Sequence, residues 1–176
     1  GAEWTVIHPF APEGPAREES IRYFCEYLKP LEELAGKLGV GIAIENMPDI
    51  TQKRFCCKAE ELCALVDAFN NPLVGCCWDT GHGMISGDDQ YEALTLLGHR
   101  VKALHIDDNL GKDDLHLLPF EGNVPWEQVM HTLHDSGCEA DLIYEIRNNA
   151  NMPEALRDVT ARYCYEVGEY LLSLYR

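Results

Sequence analysis

A dense group of residues that can bind metal ions or move protons follows one apolar stretch in the middle of the chain. The run from Val101 to Ile106 has the apolar, β-compatible composition of a buried strand, and the chain turns polar before Gly111 breaks it. Carboxylates and imidazoles packed this densely repel one another unless a cation or a substrate compensates them. We therefore predict a metal or substrate site formed with His105, Asp107, Asp108, Asp114 and His116.

The elements that must position this group repeat a strand and helix pattern. Strand starts near residues 4, 40, 74, 101 and 141 are separated by the length of a βα unit, which predicts a parallel sheet with right-handed crossovers. Apolar periodicity predicts helices over 15–38, 60–69, 91–97, 125–137 and from 153 onward. We expect Pro30 to kink or split the first helix, Asp79 and His82 to lie in a glycine-containing loop, and Asp88 to cap the third helix.

A residue able to bind a ligand stands at the C-terminal end of every predicted strand. These residues are His8, Glu45, Asp79, His105 and Glu145. Active sites form at that edge in parallel barrels and in open parallel sheets, because successive loops converge there. A closed barrel needs eight βα units and typically about 250 residues, whereas this chain supplies five units. The residues alone also allow a complete five-stranded open α/β fold.

Composition narrows the classes of partner. The 176 residues, 46% of them apolar, suit one domain with a substantial core. We find no apolar run that could span a bilayer and no signal peptide pattern, so we expect a soluble, cytoplasmic protein without a membrane partner. The formal net charge of -16, with only 14 basic residues, argues against nucleic-acid binding, which depends on clustered Lys and Arg.

The eight cysteines do not suggest a zinc site or a disulfide framework. Two pairs are adjacent in sequence, at Cys56 and Cys57 and at Cys76 and Cys77, and no CxxC spacing occurs. We interpret the cysteines as reduced packing residues.

Five motifs in order resemble those of one superfamily. The segment HIDDNLGKDDLHLLPFEGNVPW is similar to the penultimate strand and loop of the xylose isomerase-like (β/α)₈ barrels, and VIHPF, IAIENM, CCWDTGH and IYEIRNN match other strand ends. That superfamily includes sugar (phosphate) isomerases and epimerases, inosose-processing enzymes and endonuclease IV. The resemblance implies an α/β (β/α)₈ TIM barrel, truncated here to five βα units that correspond to strands four to eight. Residues 1–176 would form one domain whose N-terminal units are missing.

The resemblance also implies a metal cage. Its ligands would be Glu45, Asp79, His105 and Glu145. Three carboxylates and one imidazole are mostly hard donors, so we expect one divalent ion, Mn²⁺, Mg²⁺ or Co²⁺, with Zn²⁺ as a further candidate.

By the same resemblance, the expected reaction is isomerisation or epimerisation of a sugar, a sugar phosphate or an inosose. It would pass through an enediolate held by the metal, with Glu45 and Glu145 as catalytic acid and base. Residues His8, His82, Asp114 and His116 would bind the substrate. A small-molecule sugar is the expected partner, and we expect a homo-oligomer because a five-stranded partial barrel exposes sheet edges.

Two other functions remain open. Endonuclease IV uses a three-metal site with matching residues to cleave at apurinic or apyrimidinic sites, although the acidic chain offers little to hold DNA. A non-catalytic barrel could keep the cage to bind a sugar or a metal. Among the sugar enzymes, the nearest acid after Glu45 is Asp49, and the loop after His105 offers Lys112 where tagatose-type 3-epimerases have Arg. Isomerases, other epimerases and inosose enzymes therefore remain open.

Overall fold

The sheet consists of five strands, each followed by at least one helix. A computed structural model describes residues 1–11, 16–50, 55–147 and 152–176. The strands are β1 (Trp4–Ile7), β2 (Gly41–Glu45), β3 (Val74–Asp79), β4 (Val101–Ile106) and β5 (Leu142–Tyr144). The helices are α1 (Arg17–Leu38), α2 (Ala59–Phe69), α3 (Thr80–Ser86), α4 (Gln90–Leu97), α5 (Trp126–Asp135) and α6 (Glu154–Leu174), with a short 3₁₀ helix at Gly98–Arg100.

All strand pairs are parallel, and the strands lie in chain order from β1 to β5. They form a curled half-barrel, so the predicted five-unit portion of a TIM barrel is confirmed. The register aligns Glu45 with Cys77 and Asp79 with His105. The end of β3 therefore extends two residues beyond the partner of Glu45, and the last side chains of the neighbouring strands lie at one edge of the sheet.

Alternation along the strands separates two kinds of side chain. Large apolar residues such as Ile44, Trp78 and Ile106 point outward and form the core with the helices. The inner face carries small residues, and Ala43, Cys77 and Ala103 pack together there. Because side chains alternate between faces with a period of two, the next inner positions hold the chemically active residues Glu45, Asp79 and His105.

The helices differ from the sequence predictions in three places. Helix α1 continues unbroken through Pro30, so the predicted split is wrong; its buried face, with Phe24, packs on the core. The predicted glycine-containing loop after β3 is the helix α3, and its C-cap Gly87 has φ 73°. The predicted cap Asp88 instead accepts the backbone N–H of Ala59 at the start of α2, while Asp89 caps α4.

None of the helices among the described residues is long and apolar enough to cross a lipid bilayer.

The two outer strands generate a prediction about assembly. Strands β1 and β5 each pair with only one neighbour among the described residues, and Ile143 in β5 is 49% exposed. Because unpaired strand edges promote pairing with another chain, we expect the 176-residue chain to self-associate. Light scattering should report a dimer or larger species, and Ile143→Lys, which places a charge on the edge strand, should weaken it. A stable monomer of the unaltered chain at high concentration would contradict the expectation.

Candidate metal centre

Four residues from four strands converge at the C-terminal edge of the sheet. Glu45 and Asp79 are the last residues of β2 and β3, His105 lies one residue before the end of β4, and Glu145 follows β5 directly. Potential ligand atoms of all four lie within 4.8 Å of one another. His105 Nδ1 is 3.1 Å from Glu45 Oε1 and 2.8 Å from Glu145 Oε2. We call this group the cage.

Five buried polar atoms of the cage lack hydrogen-bond partners among the described residues. Glu45 and Asp79 are fully buried, and both carboxylate oxygens of Glu45 and Oδ2 of Asp79 accept no hydrogen bond. The same holds for His105 Nδ1 and Glu145 Oε2, whose close approach lacks hydrogen-bond geometry. Buried carboxylates without partners are costly unless a cation neutralises them. The donor set therefore fits a divalent cation.

A second group lies beside the cage and contains His82, Asp114 and His116. Asp114 Oδ1 is 3.5 Å from Nε2 of His82 and 3.3 Å from Nε2 of His116. The sequence predicted these three residues as substrate ligands, and the structure brings them together. We call them the second group.

Backbone carbonyls fix the orientation of both imidazoles in the second group. Nδ1 of His82 is 2.8 Å from the carbonyl oxygen of Asn46, and Nδ1 of His116 is 2.8 Å from that of Glu145. A carbonyl can only accept, so each Nδ1 carries the proton and donates it. In the neutral form of each imidazole, Nε2 therefore keeps a lone pair on the side that faces Asp114. This is how metal-binding histidines are commonly oriented by outer partners.

Asn46 connects the two groups and was missed by the sequence analysis. Its side chain pairs with the backbone of Asp79 in both directions: Nδ2 donates to the Asp79 carbonyl at 3.0 Å, and the Asp79 N–H donates to Oδ1 at 2.7 Å. The carbonyl of Asn46 also accepts from His82. The position of Asn46 directly after Glu45 was the signal that could have identified it.

The start of α3 shapes the region between the groups. Asp79 caps this helix, and its Oδ1 accepts the N–H of His82 at 2.6 Å, which leaves Oδ2 for the cage. Gly81 donates its N–H to Asp107 Oδ1 at 2.9 Å, and a Cβ at this glycine would collide with that carboxylate. The missing side chain of Gly81 therefore lets the backbone lie close to the Asp107 carboxylate; it does not serve to make the chain flexible here.

Asp107 is a further buried acid that received no specific role in the sequence analysis. It is fully buried, its Oδ2 has no hydrogen-bond partner among the described residues, and that oxygen lies 3.5 Å from His116 Nδ1. Asp107 therefore adds negative charge between the cage and the second group.

His8 and two basic residues lie at the outer margin of the site. The side chain of His8 is 63% exposed, and its Nε2 is 3.2 Å from Glu45 Oε2. Arg147 donates through Nη2 to the carbonyl of Asp114, so its guanidinium braces the loop, while Lys112 is exposed. Every residue predicted from sequence to bind metal or substrate therefore lies at this one edge.

The mutual contacts shift several pKa values. Burial raises the pKa of Glu45, but the close approach and charge of His105, aided by other histidines, outweigh burial and leave the pKa of Glu45 below its ordinary value. Burial and the negative charge of Asp107 raise the pKa of Asp79 well above its ordinary value. Burial raises the pKa of Asp107 to about 6.

The histidine and outer carboxylate pKa values follow from their ion pairs. Burial lowers the pKa of His82, but the nearby Asp114 carboxylate and the hydrogen bond to the Asn46 carbonyl outweigh burial and raise this pKa above its ordinary value. Burial also lowers the pKa of His105, but its contacts with Glu45 and Glu145 outweigh burial and raise this pKa above its ordinary value. The close approach of His82 lowers the pKa of Asp114.

These shifts predict how stability depends on pH after metal removal. Asp79, Asp107, His82 and His105 have raised pKa values in the folded state, so each contributes stability that is lost as pH rises through its folded pKa. Glu45 and Asp114 have lowered pKa values, and their contribution is lost only in more acidic solution. The chelated protein should therefore melt at a lower temperature at about pH 8 than at about pH 5.

Divalent cations should remove most of this pH dependence, because they neutralise the deprotonated ligands. Calorimetric scans with and without a cation test both statements. A chelated protein whose melting temperature rises over the same pH interval would contradict the assignment of these buried groups.

Comparison with known proteins identifies the family of this chain. A family model described as xylose isomerase-like TIM barrel matches residues 1–163. An inosose dehydratase of Clostridium perfringens is 27% identical over 146 residues, 73% of this chain and 48% of the relative. A probable endonuclease 4 of Shouchella clausii is 32% identical over 120 residues, 62% of this chain and 40% of the relative.

Among solved structures, a D-tagatose 3-epimerase-like protein has 26% sequence identity and a TM-score of 0.80; the match covers 98% of this chain and 63% of that structure. The chain thus spans about half the length of the curated relatives described above. With nearly the whole chain matched by the family model and the strand-end site in place, the protein belongs to the xylose isomerase-like TIM barrel family.

Proposed function

We propose that the protein acts as a divalent-metal-dependent isomerase or epimerase on a sugar, a sugar phosphate or an inosose. The observation that carries this proposal is the cage, in which two glutamates approach one imidazole from different strands. The similarity to an inosose dehydratase and to a D-tagatose 3-epimerase-like protein supports a polyhydroxylated substrate.

We propose one resident divalent ion held by Glu45, Asp79, His105 and Glu145. The hard carboxylate donors favour Mn²⁺, Mg²⁺ or Co²⁺, and the imidazole also admits Zn²⁺. When bound, such an ion would supply Lewis-acid polarisation of the substrate carbonyl.

Glu45 and Glu145 are the proposed proton carriers. The lowered pKa of Glu45 keeps its carboxylate ionised near neutral pH, as a general base requires. The side chain of Glu145 is 42% exposed, so it can approach a substrate from the open side of the cage. One glutamate, as base, would accept the proton from the carbon beside the carbonyl, and the other, as acid, would donate its own proton to the same or a neighbouring carbon.

The remaining polar side chains would bind and orient the substrate. The proposed substrate ligands are His8, His82, Asp114 and His116. The second group is arranged around a shared oxygen of Asp114, which would align hydroxyl groups at a fixed distance from the cage. We also propose a cytoplasmic location, because a reducing environment keeps thiols reduced and seven of the cysteines are free thiols: Cys25, Cys56, Cys63, Cys76, Cys77, Cys138 and Cys164.

Metal binding by the 176-residue chain is the first test. Asp79→Ala and His105→Ala should each weaken Mn²⁺ or Co²⁺ binding sharply, because each removes one ligand from the cage. Isothermal calorimetry measures the affinity. His134→Ala is the matched control, since His134 lies exposed on α5 and its ring contacts Asp135 and Tyr175, which are not cage residues. Unchanged affinity in both cage variants would remove the site assignment.

Proton transfer is the second test and requires the full-length protein. Incubation with a substrate sugar in D₂O should place deuterium on the carbon beside the carbonyl. Glu45→Gln and Glu145→Gln keep an oxygen donor but lose the proton acceptor, so turnover should fall by about 10² to 10⁴. Metal affinity should fall less than turnover.

Glu127→Gln provides the control for this test, because Glu127 is an exposed residue on α5. A Glu145→Gln protein with near-normal turnover would overturn the two-glutamate mechanism. Metal binding without any label incorporation or turnover would favour a non-catalytic sugar-binding or metal-binding barrel.

A second candidate function is hydrolysis of phosphodiesters at apurinic or apyrimidinic sites. The observation that favours it is the second group, whose two Nε2 atoms converge on one carboxylate oxygen as in a prepared metal site. The similarity to a probable endonuclease 4 points the same way. The net charge of -16 opposes it, because DNA phosphates need basic partners. Two or three ions per chain with cleavage of abasic DNA would favour the nuclease, and one ion would favour the sugar enzyme.

A further inference from the structure

Asp108 differs from the other acids at this edge because its carboxylate is saturated with hydrogen bonds. The residue is fully buried. Oδ1 accepts two hydrogen bonds and Oδ2 accepts three, all between 2.9 and 3.1 Å. The donors are the backbone N–H groups of Asn109, Phe120, Gly122 and Val124 and the indole N–H of Trp126.

This saturation separates Asp108 from the proposed ligands. A carboxylate offers about four lone-pair directions, so five donors leave none for an ion or a substrate. Glu45 and Asp79, in contrast, keep buried oxygens without partners. The role of Asp108 is therefore to hold the chain.

The chain that Asp108 holds is the loop of residues 107–125, which carries Asp114 and His116. This fully described loop contains no helix and no strand, apart from a single bridge between Asp108 and Leu117. The backbone of Asp108 both donates to and accepts from Leu117 at 2.8 Å. The backbone of Asp108 thus fixes Leu117, the residue after His116. The carboxylate of Asp108 fixes the later part of the loop, residues 120–124, which leads into α5.

Unusual backbone conformations in the loop require such support. His116 has φ 48° and Phe120 has φ 75°, values that cost energy in residues other than glycine and persist only when surrounding contacts impose them. Phe120 donates its N–H directly to Asp108, and His116 immediately precedes the bridged Leu117. A Cβ at Gly122 would collide with the Asp108 carboxylate, so this glycine permits the close approach.

We propose that Asp108 is a positioning residue for the site. Its carboxylate accepts the backbone N–H groups of residues 120–124, where the loop runs back toward α5, and thereby holds His116 and Asp114 against His82. The inference uses the proposed function only in assigning these three residues to the site. An amide could not replace the carboxylate, because the NH₂ of an asparagine would face two or three N–H donors.

The test is the imidazole NMR spectrum of the chelated 176-residue chain carrying Asp108→Asn. The Nδ1–H proton of His116, which is bonded to the Glu145 carbonyl, should be lost through exchange with water. The Nδ1–H proton of His82 should remain, because its partner Asn46 lies outside the loop. Asp88→Asn is the matched control: Asp88, between α3 and α4, also accepts a backbone N–H, but its donor is Ala59 at the start of α2 and lies outside the loop.

Each outcome decides the proposal. A His116 signal that is retained in folded Asp108→Asn would overturn the proposal. Loss of the His82 and His116 signals together would also overturn it, because that result means that the whole fold has loosened. If Asp108→Asn does not fold, Trp126→Phe removes the indole donor to Asp108 while keeping an aromatic ring in the core. Exchange of the His116 proton should then accelerate about tenfold with His82 unchanged, and an unchanged rate would overturn the proposal. No readout involves turnover, so the result is independent of the proposed reaction.

Discussion

Uncompensated negative charge at the C-terminal edge of the sheet is the constraint on which the rest of the site depends. Glu45, Asp79 and Asp107 are fully buried, and each has at least one oxygen without a hydrogen-bond partner among the described residues. Burying a carboxylate is unfavourable unless a proton, a cation or donors compensate it. The protein uses several of these forms of compensation. Imidazoles face the carboxylates, the pKa values of Asp79 and Asp107 are raised, and the four cage residues are close enough to hold a divalent ion.

The cage and the second group share a single hydrogen-bonded frame. The carbonyl of Asn46 orients His82, and the carbonyl of Glu145 orients His116. The imidazoles of the second group are thus positioned by backbone at the ends of β2 and β5, the strands that deliver the two cage glutamates. A displacement of either strand end would move a cage ligand and an imidazole together, so the two groups behave as one structural unit.

Predictions from local patterns failed where tertiary contacts outweighed local preference. The glycines after β3 resemble a loop in sequence, yet Asp79 caps α3, and Gly81 and Gly83 are needed for close packing against Asp107 and Trp78. Pro30 does not split α1, because the apolar face of that helix remains packed on the core on both sides of the proline. Asp88 and Asp89 are adjacent, and only the three-dimensional arrangement decides which helix each residue caps.

The sequence by itself determined the parallel βα pattern and the residues of the candidate site, because strand periodicity and the polar residue after each apolar run are local signals. Tertiary structure decided how those residues are divided between the cage and the second group. It also decided the roles of Asn46 and Asp108, which make hydrogen bonds to residues at least 12 positions away. Such roles depend on the register of neighbouring strands and on the return path of one loop, and no local pattern encodes either.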